Sequence, residues 1–333
     1  MKCSVAMAVY NGERYIEEQL ASILNQTRTV DEVIISDDGS VDDTINIVES
    51  FIKKHNLEHW MVYKNNGPHG FIGNFYHAIS KTTGDLIFLC DQDDVWIDNR
   101  VEKMYNFMKD YSDIAVLNTA VQLVDEEGSN ILYKKKKGYC NGNILHENCQ
   151  EGEIRKFSFQ YFVKTNISPG CTMVFRSSIK EQFMEYKKAC VEHQFPHDWF
   201  INILGSLTEQ TCFWNVELTK YRMHNNNTIG LDLSEEEERG IRSTRIQRRK
   251  IGEFQYKRAL MLKNEMKLNK CQSSYLKKYL AFTKARYEFL ENYSFVKLLA
   301  VYRYFGMYKS TMKTKSIISD FIYALHMDNL FRR

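Results

Sequence analysis

A chain of 333 residues, 44% apolar and 26% charged, is long enough for one large domain with an appendage or for two domains, and has the make-up of a soluble globular protein. Its eight cysteines stand apart with no C-x-x-C pair, which argues against a disulfide framework or a zinc site and for a reducing compartment. Net charge is only +3, but residues 241–333 hold 21 Lys+Arg against 6 Asp+Glu, a balance of +15, so the first 240 residues sum to −12.

Met1-Lys2-Cys3-Ser4-Val5 runs directly into an apolar strand, Cys3–Val9, so no leader is expected. Ile16, Leu20, Ile23 and Leu24 share one helical face. Glu32–Ser36 reads as a second strand, and Asp42 is placed to cap a helix that turns Ile45, Val48 and Ile52 inward. Trp60–Tyr63 is a third strand, Phe71–Lys81 a helix and Asp85–Cys90 a fourth strand. Asp98 is placed to cap a helix showing Val101, Met104, Tyr105 and Met108. This alternation predicts parallel strands joined by crossover helices, hence an α/β fold.

From about 125 to 165 the pattern gives way to a polar, Lys-rich surface excursion. A strand over Cys171–Phe175, helices near 177–190 and 198–206, and a strand over 213–223 follow. The acidic stretch Leu233-Ser234-Glu235-Glu236-Glu237-Glu238-Arg239-Gly240 marks the expected boundary between a domain over 1–232 and a basic helical region over 233–333. Two aromatic faces stand out in that region: Leu276, Tyr279, Leu280 and Phe282, then Phe295, Leu298, Leu299 and Tyr302. Such faces either cap a neighbouring domain or lie on an anionic leaflet, and the excess charge favours the leaflet. No nucleic-acid motif accompanies the charge, so nucleic acid is not an expected partner. No apolar run of about 18 residues is present to span a bilayer. The expected location is cytoplasmic, peripheral at the inner face of the plasma membrane.

The chemistry concentrates at strand ends. After Leu86-Ile87-Phe88-Leu89-Cys90 come Asp91-Gln92-Asp93-Asp94, carboxylates that repel one another unless a cation sits among them. Ligands of open α/β sheets bind outside such carboxyl ends, and Mg²⁺ typically shares one or two carboxylates with a phosphate. The first strand ends in Tyr10-Asn11-Gly12-Glu13 and the second in Asp37-Asp38-Gly39-Ser40. The second end is by itself an ordinary Asp-Gly turn. Three such ends on neighbouring strands make one crevice that suits a nucleotide. Asp91-x-Asp93-x-Val95 also fits the nucleophile motif of haloacid-dehalogenase-type phosphatases, with Asp91 attacking phosphorus, and a non-catalytic glycan- or nucleotide-binding protein is a third option.

Val9-Tyr10-Asn11-Gly12, Val33-Ile34-Ile35-Ser36-Asp37-Asp38-Gly39-Ser40 and Asp91-Gln92-Asp93-Asp94, in this order, resemble the family 2 glycosyltransferases of GT-A fold. Together with Gly170-Cys171-Thr172, His197-Asp198-Trp199 and Tyr221-Arg222-Met223-His224-Asn225, they are similar to bacterial rhamnosyltransferase-like members. The resemblance implies inverting transfer of one sugar from a nucleoside-diphosphate sugar, dTDP-rhamnose or a UDP-sugar, to a glycan or lipid-linked glycan of a bacterial surface polysaccharide. Residues 1–120 would form the nucleotide-sugar half and 121–232 the acceptor half.

The resemblance assigns Val9, Tyr10, Asn11, Glu13, Asp37, Asp38, Asn74, Asp91 and Gln92 to the donor. Asp91, Asp93 and His224 would hold Mg²⁺ or Mn²⁺, with Asp94 in support. Asp198 would be the general base, and Gly170, Cys171, His197 and Trp199 would shape the acceptor site. On their own terms Asp198 could equally cap its helix and His224 be a solvated loop histidine. His69 and His77 read as structural, and Trp96 as a wall of the site or core. Two departures stand out: Asn66–Asn74 carries no arginine where many members have one, and the usual Glu-Asp pair is His197-Asp198. The absence of Gln-x-x-Arg-Trp favours addition of a single sugar.

Overall fold

The computed structural model describes residues 1–131, 149–224, 245–312, 314–325 and 327. The chain divides into two compact units, Met1–Gly230 and Leu231–Arg333. The acidic stretch at 233–240 and much of the Lys-rich excursion lie outside the described residues.

The first unit opens with β1 (Cys3–Val9), α1 (Ile16–Leu24), β2 (Glu32–Asp37), α2 (Thr44–Lys54), β3 (Trp60–Lys64), α3 (Phe71–Lys81) and β4 (Leu86–Asp91). Next come β5 (Val95–Trp96), α4 (Arg100–Asp110), β6 (Val116–Val124), β7 (Ile154–Lys156) and α5 (Phe159–Phe162). A single 3-10 turn (Gly170–Thr172) leads to β8 (Val174–Arg176), α6 (Ser177–Glu185), α7 (Lys187–Glu192), α8 (His197–Ser206) and β9 (Thr211–Arg222). The strands form one sheet in the order β3-β2-β1-β4-β8-β6-β9, and β5 and β7 both pair with β9.

The expected parallel alternation holds for β3, β2, β1 and β4. Beyond β4 it fails: β8 runs antiparallel to β4 and β6, so the sheet is mixed. Nearly every residue of β1 and β4 is buried, as in strands covered by helices on both faces. Val5, Met7, Val9, Val33, Ile35, Phe88 and Cys90 meet Ile16, Leu20 and Ile23 of α1 and Val101, Met104 and Met108 of α4 in one core.

Several local expectations are corrected. The helix assigned to an Asp42 cap starts at Thr44, with Asp43 at the cap position. Asp42 instead accepts from the backbone N–H of Thr44 (3.1 Å) and of Glu13 (3.2 Å), tying two loops together. Asn99, not Asp98, precedes α4, and the Asp98 carbonyl accepts from Thr27 N–H (2.8 Å). Cys171 lies in the 3-10 turn, so the strand expected from it begins only at Val174. β6 had no counterpart in the predicted elements, because buried Asn118 and Thr119 interrupt its apolar run.

Glu32 fastens the far end of the sheet. It accepts from Ser4 Oγ (2.5 Å), Thr83 Oγ1 (3.0 Å) and Thr83 N–H. Burial opposes its ionisation, but the hydrogen bonds from Ser4, Thr83 and Gly84 outweigh burial and hold the carboxyl below its ordinary value of 4.5. A carboxyl depressed on folding stabilises the protein above its unfolded pKa, and that contribution is lost as pH falls. Glu32→Gln should therefore cost about 1–3 kcal/mol at pH 7. Denaturant titrations should show that deficit shrinking as pH drops below 4.5.

The second unit is helical: α9 (Arg245–Glu265), α10 (Lys270–Asn292), α11 (Phe295–Tyr302), α12 (Phe305–Thr311) and α13 (Thr314–Ala324). A capping box starts α10, with Asn269 and Gln272 each satisfying the other's backbone N–H (2.9 and 3.1 Å). At its centre the fully buried Asp320 of α13 pairs with Arg248 of α9 and Arg286 of α10 (3.3 Å) and accepts from Tyr308 Oη of α12. No helix among the described residues is long and apolar enough to cross a membrane.

Candidate active site

β2, β1 and β4 end side by side, with Val9 opposite Asp37 and Ala8 opposite Asp91. Their loops wall a cleft of about 1190 Å³ that also receives Gly170, His197, Asp198, Tyr221 and His224. Of the sequence-assigned residues, Val9, Tyr10, Asn11, Asp38, Asn74, Asp91, Gln92, Asp93, Gly170, His197, Asp198 and His224 all line it. Glu13, Asp37, Cys171 and Trp199 do not, and neither does the supporting Asp94.

The first four have other partners. Glu13 accepts from Asp43 N–H (2.9 Å), and Asp37 closes its turn on Ser40 N–H (3.0 Å) around Gly39, whose φ of 95° favours glycine. Trp199 Nε1 donates to the Phe162 carbonyl (2.6 Å). Cys171 is fully buried beneath the carboxylates.

At one end of the cleft the Asp38 carboxylate accepts from Gly70 N–H (2.7 Å) and Asn65 Nδ2 (2.8 Å) and meets His69 Nδ1 (3.1 Å). His69, expected to be structural, is thus a cleft residue, whereas His77 lies behind, against Ser36 Oγ (2.8 Å). Tyr10 presents a half-exposed ring. Gln92 and Asn74 spend their amides on backbone: Gln92 bonds both N–H and C=O of Tyr10 (2.8 and 2.9 Å), and Asn74 donates to the carbonyls of Val9 (3.2 Å) and Ser36 (2.9 Å). The Gln92 staple explains Gly12, since a Cβ there would stand 2.4 Å from the Gln92 amide.

Along the floor, His224 Nε2 meets Asp93 Oδ2 (2.8 Å) and the imidazole packs 5.1 Å from the Tyr15 ring, so His224 is not a solvated loop residue. Asp94 is buried; its Oδ1 accepts from Arg222 N–H (3.1 Å), and its Oδ2 has no hydrogen-bond partner. Arg222, to which the sequence assigned no role, reaches the Asp93 carbonyl (2.9 Å), the Glu126 carbonyl (2.9 Å) and Glu18 (2.5 Å). It locks the Asp91–Asp94 turn to the end of β9. Trp96 is core, beneath the guanidinium of Arg100 (4.3 Å).

Burial and then repulsion from Asp94, Asp93 and Asp198 push the Asp91 carboxyl well above its ordinary range. Burial and then Asp93 raise Asp94 to about 7. Ligand atoms of Asp91, Asp94 and Cys171 lie within 4.8 Å of one another. The floor fits a hard divalent cation: Asp91 and Asp94 crowd together without an ion pair among the described residues, and the buried Arg100 guanidinium acts on them only through space. Cys171 fits less well as a ligand, because burial drives its thiol well above its ordinary value and keeps it protonated.

Asp198 stands in the first turn of α8 without capping it; Pro196 holds the cap position. Its Oδ2 accepts from Asn166 Nδ2 (2.8 Å). Asn166 Oδ1 takes a bond from Asn202 Nδ2 (2.9 Å), and Asn118 bonds Asn202 (2.7 Å) and Ser168 (3.1 Å). These buried amides escaped the sequence reading because no local spacing links them. Burial raises the Asp198 carboxyl to about 6 despite the bonds from Trp199 N–H and Asn166. His197 stacks on Phe75 (3.9 Å), and neither ring nitrogen has a hydrogen-bond partner among the described residues. Burial lowers its pKa to about 3, so the imidazole is neutral.

Residues 4–183 match the family model described as glycosyl transferase family 2. The chain is a family 2 glycosyltransferase. This transferase is 30% identical over 238 residues to the dTDP-rhamnosyl transferase RfbG of Shigella flexneri, covering 68% of this chain and 75% of RfbG. It is 33% identical over 140 residues to the poly(ribitol-phosphate) beta-N-acetylglucosaminyltransferase TarS of Staphylococcus aureus strain Mu50, covering 41% of this chain and 21% of TarS. The solved S. aureus TarS 1–349 in complex with UDP-GlcNAc superposes with a TM-score of 0.55 at 16% identity, over 100% of this chain and 92% of that one, a likeness of GT-A fold. A haloacid-dehalogenase phosphatase would carry its aspartate nucleophile after the first strand, whereas Asp91 ends β4. Membership of a transferase family also sets aside the binding-only alternative.

Proposed function

We propose that this glycosyltransferase moves one sugar, with inversion, from a nucleoside-diphosphate sugar to a hydroxyl of a glycan or lipid-linked glycan acceptor. The observation that carries it is Asp198: a buried carboxyl held near neutrality, facing the cleft that Asp91 and Asp93 floor. In this scheme Tyr10, Asn11 and Asp38 hold the nucleoside. Asp198 takes the proton of the acceptor hydroxyl as its oxygen bonds to the anomeric carbon. The bond from that carbon to the diphosphate breaks on the opposite face. A pKa of about 6 leaves Asp198 ionised at neutral pH and basic enough to share a proton in the transition state. Asp91, Asp93 and His224 would hold a divalent cation, which supplies Lewis-acid neutralisation of the departing diphosphate. Likeness to RfbG supports a dTDP-rhamnose donor, and likeness to TarS supports a UDP-sugar as the second choice.

A thermal-shift screen of dTDP-, UDP- and GDP-sugars with Mg²⁺ or Mn²⁺, followed by assay of nucleoside-diphosphate release, tests the scheme. Stabilisation by one donor class with release of its diphosphate is the expected result; no response to any donor refutes it.

His197 borders the cleft beside the base with both ring nitrogens buried, so its role is to shape the acceptor pocket. His197→Ala should raise the acceptor KM about tenfold and change kcat less, because it removes the ring that stacks on Phe75 and shapes the pocket. An unchanged KM would remove His197 from the acceptor site.

A further inference from the structure

The two aromatic faces of the second unit have different fates. Leu276, Tyr279 and Phe282 of α10 are fully buried and cannot face a leaflet. In α11 only Leu298 and Val301 turn inward, while Val296 (74% exposed), Leu299 (54%) and Phe295 point outward. Helical spacing carries this face from Phe295 to Leu299 and on to Tyr302. Tyr302 then stacks on Phe305 of α12 (5.7 Å) and packs beside Phe321 of α13 (5.2 Å). Phe305 and Phe321 are themselves exposed, so the apolar surface is continuous across three helices. A short helix that is apolar on both sides needs a second covering.

Charge indicates which covering. Between Glu291 and Asp320 the sequence has five basic residues and no acidic one, and Asp320 is buried against Arg248 and Arg286. Arg303 and Lys309 are exposed along this face with no acidic residue in that stretch, whereas Lys297 Nζ is held by the Glu288 carbonyl (3.1 Å). A second copy of the chain, packed symmetrically, would bring these cations against their own images. A polynucleotide would put phosphates over exposed Val296 and Leu299, where nothing can pair with them. An anionic bilayer satisfies both features at once: side chains enter the acyl boundary while Lys and Arg meet headgroups.

We propose that the exposed face of α11 and α12, extended by Phe321 of α13, docks on an anionic lipid surface. This goes beyond the transferase reaction and stands apart from it, since docking requires neither donor nor cation. The test is co-sedimentation of the full chain with vesicles of phosphatidylcholine alone or with about 30% phosphatidylglycerol, at low and high salt. Binding only to the anionic vesicles, weakened by salt, is expected. The double variant Arg303→Glu, Lys309→Glu should bind on the order of a hundredfold more weakly. Val296→Glu with Leu299→Glu should lose more than about tenfold. Both should keep the wild-type Tm and transfer to a soluble acceptor. Wild-type vesicle affinity in either variant, or no vesicle binding by the wild type, overturns the proposal. So does a dimer abolished by the Val296/Leu299 pair, which would make a second copy the occupant, or a fall in Tm, which would mean that the chain itself covers the face.

Discussion

Asp198→Asn is expected to lower kcat by about a thousandfold while making the protein more stable at pH 8. The activity loss follows from removing the base, a step that contributes roughly 10²–10⁴-fold in enzymes of many kinds. The stability gain follows from burial. Asp198 has a carboxyl raised to about 6 from an ordinary 3.8, chiefly by desolvation. An acid whose folded pKa is raised above its unfolded one destabilises the fold once it ionises. The penalty is absent below the unfolded value, grows between the two and is complete above the folded one. At about 1.4 kcal/mol per unit, the ionised group costs on the order of 2–3 kcal/mol. An Asn keeps an oxygen for the Asn166 Nδ2 bond and removes that cost. The two effects separate by pH: Tm of the variant should exceed wild type at pH 8 and match it near pH 4. Wild-type kcat/KM should fall about tenfold per pH unit below about 6. A variant that keeps its rate, or loses its acid limb without losing rate, would show that another group takes the proton.

The part of the cleft built by the first 120 residues was legible because its strands are parallel and covered on both faces. Such strands read as unbroken apolar runs, so β1, β2 and β4 could be placed and their polar ends recognised as one crevice. What those polar residues do there was not legible. Asn74 and Gln92 were assigned to the donor, yet each uses its amide to complete backbone hydrogen bonds between strand ends. A side-chain amide matches a peptide group as well as it matches a sugar hydroxyl, and sequence does not say which it meets.

The part of the cleft built after residue 120 was harder for a reason that concerns its chemistry. Asn118 and Thr119 broke the apolar pattern of β6, and Asn118 belongs to the chain of amides that ends at Asp198. The polar residues that hid the strand are those that orient the carboxyl. Asn166 reaches Asp198 across 32 positions and Arg222 reaches Asp93 across 129, contacts that no local periodicity encodes. His224 was assigned as a ligand by resemblance alone; the structure shows it lining the cleft and meeting Asp93.

Asp93→Ala is expected to abolish cation-dependent transfer and, with it, the cation's effect on stability. Asp93 and His224 lie 131 positions apart in the sequence and meet at 2.8 Å, with Arg222 holding the Asp93 carbonyl so that the carboxylate stays in place. Removing Asp93 takes one carboxylate from the floor and leaves the fold's hydrogen bonds to Asp94 untouched. In the wild type, Mn²⁺ at a hundred times its Kd should stabilise the protein by about 2.7 kcal/mol, and EDTA should reverse the gain. The variant should show neither response, and its transfer rate should fall by about a thousandfold, comparable with loss of a principal electrostatic stabiliser of the leaving group. His224→Ala should keep part of the Tm response and lose about ten- to a hundredfold in rate, because the carboxylates remain. Asp94 offers the discriminating alternative: its Oδ2 is buried without a hydrogen-bond partner. If Asp93→Ala retains EDTA-sensitive transfer while Asp94→Asn loses it, the cation sits deeper in the floor, between Asp91 and Asp94. The Asp93–His224 pair would then close the cleft over the diphosphate without ligating the cation.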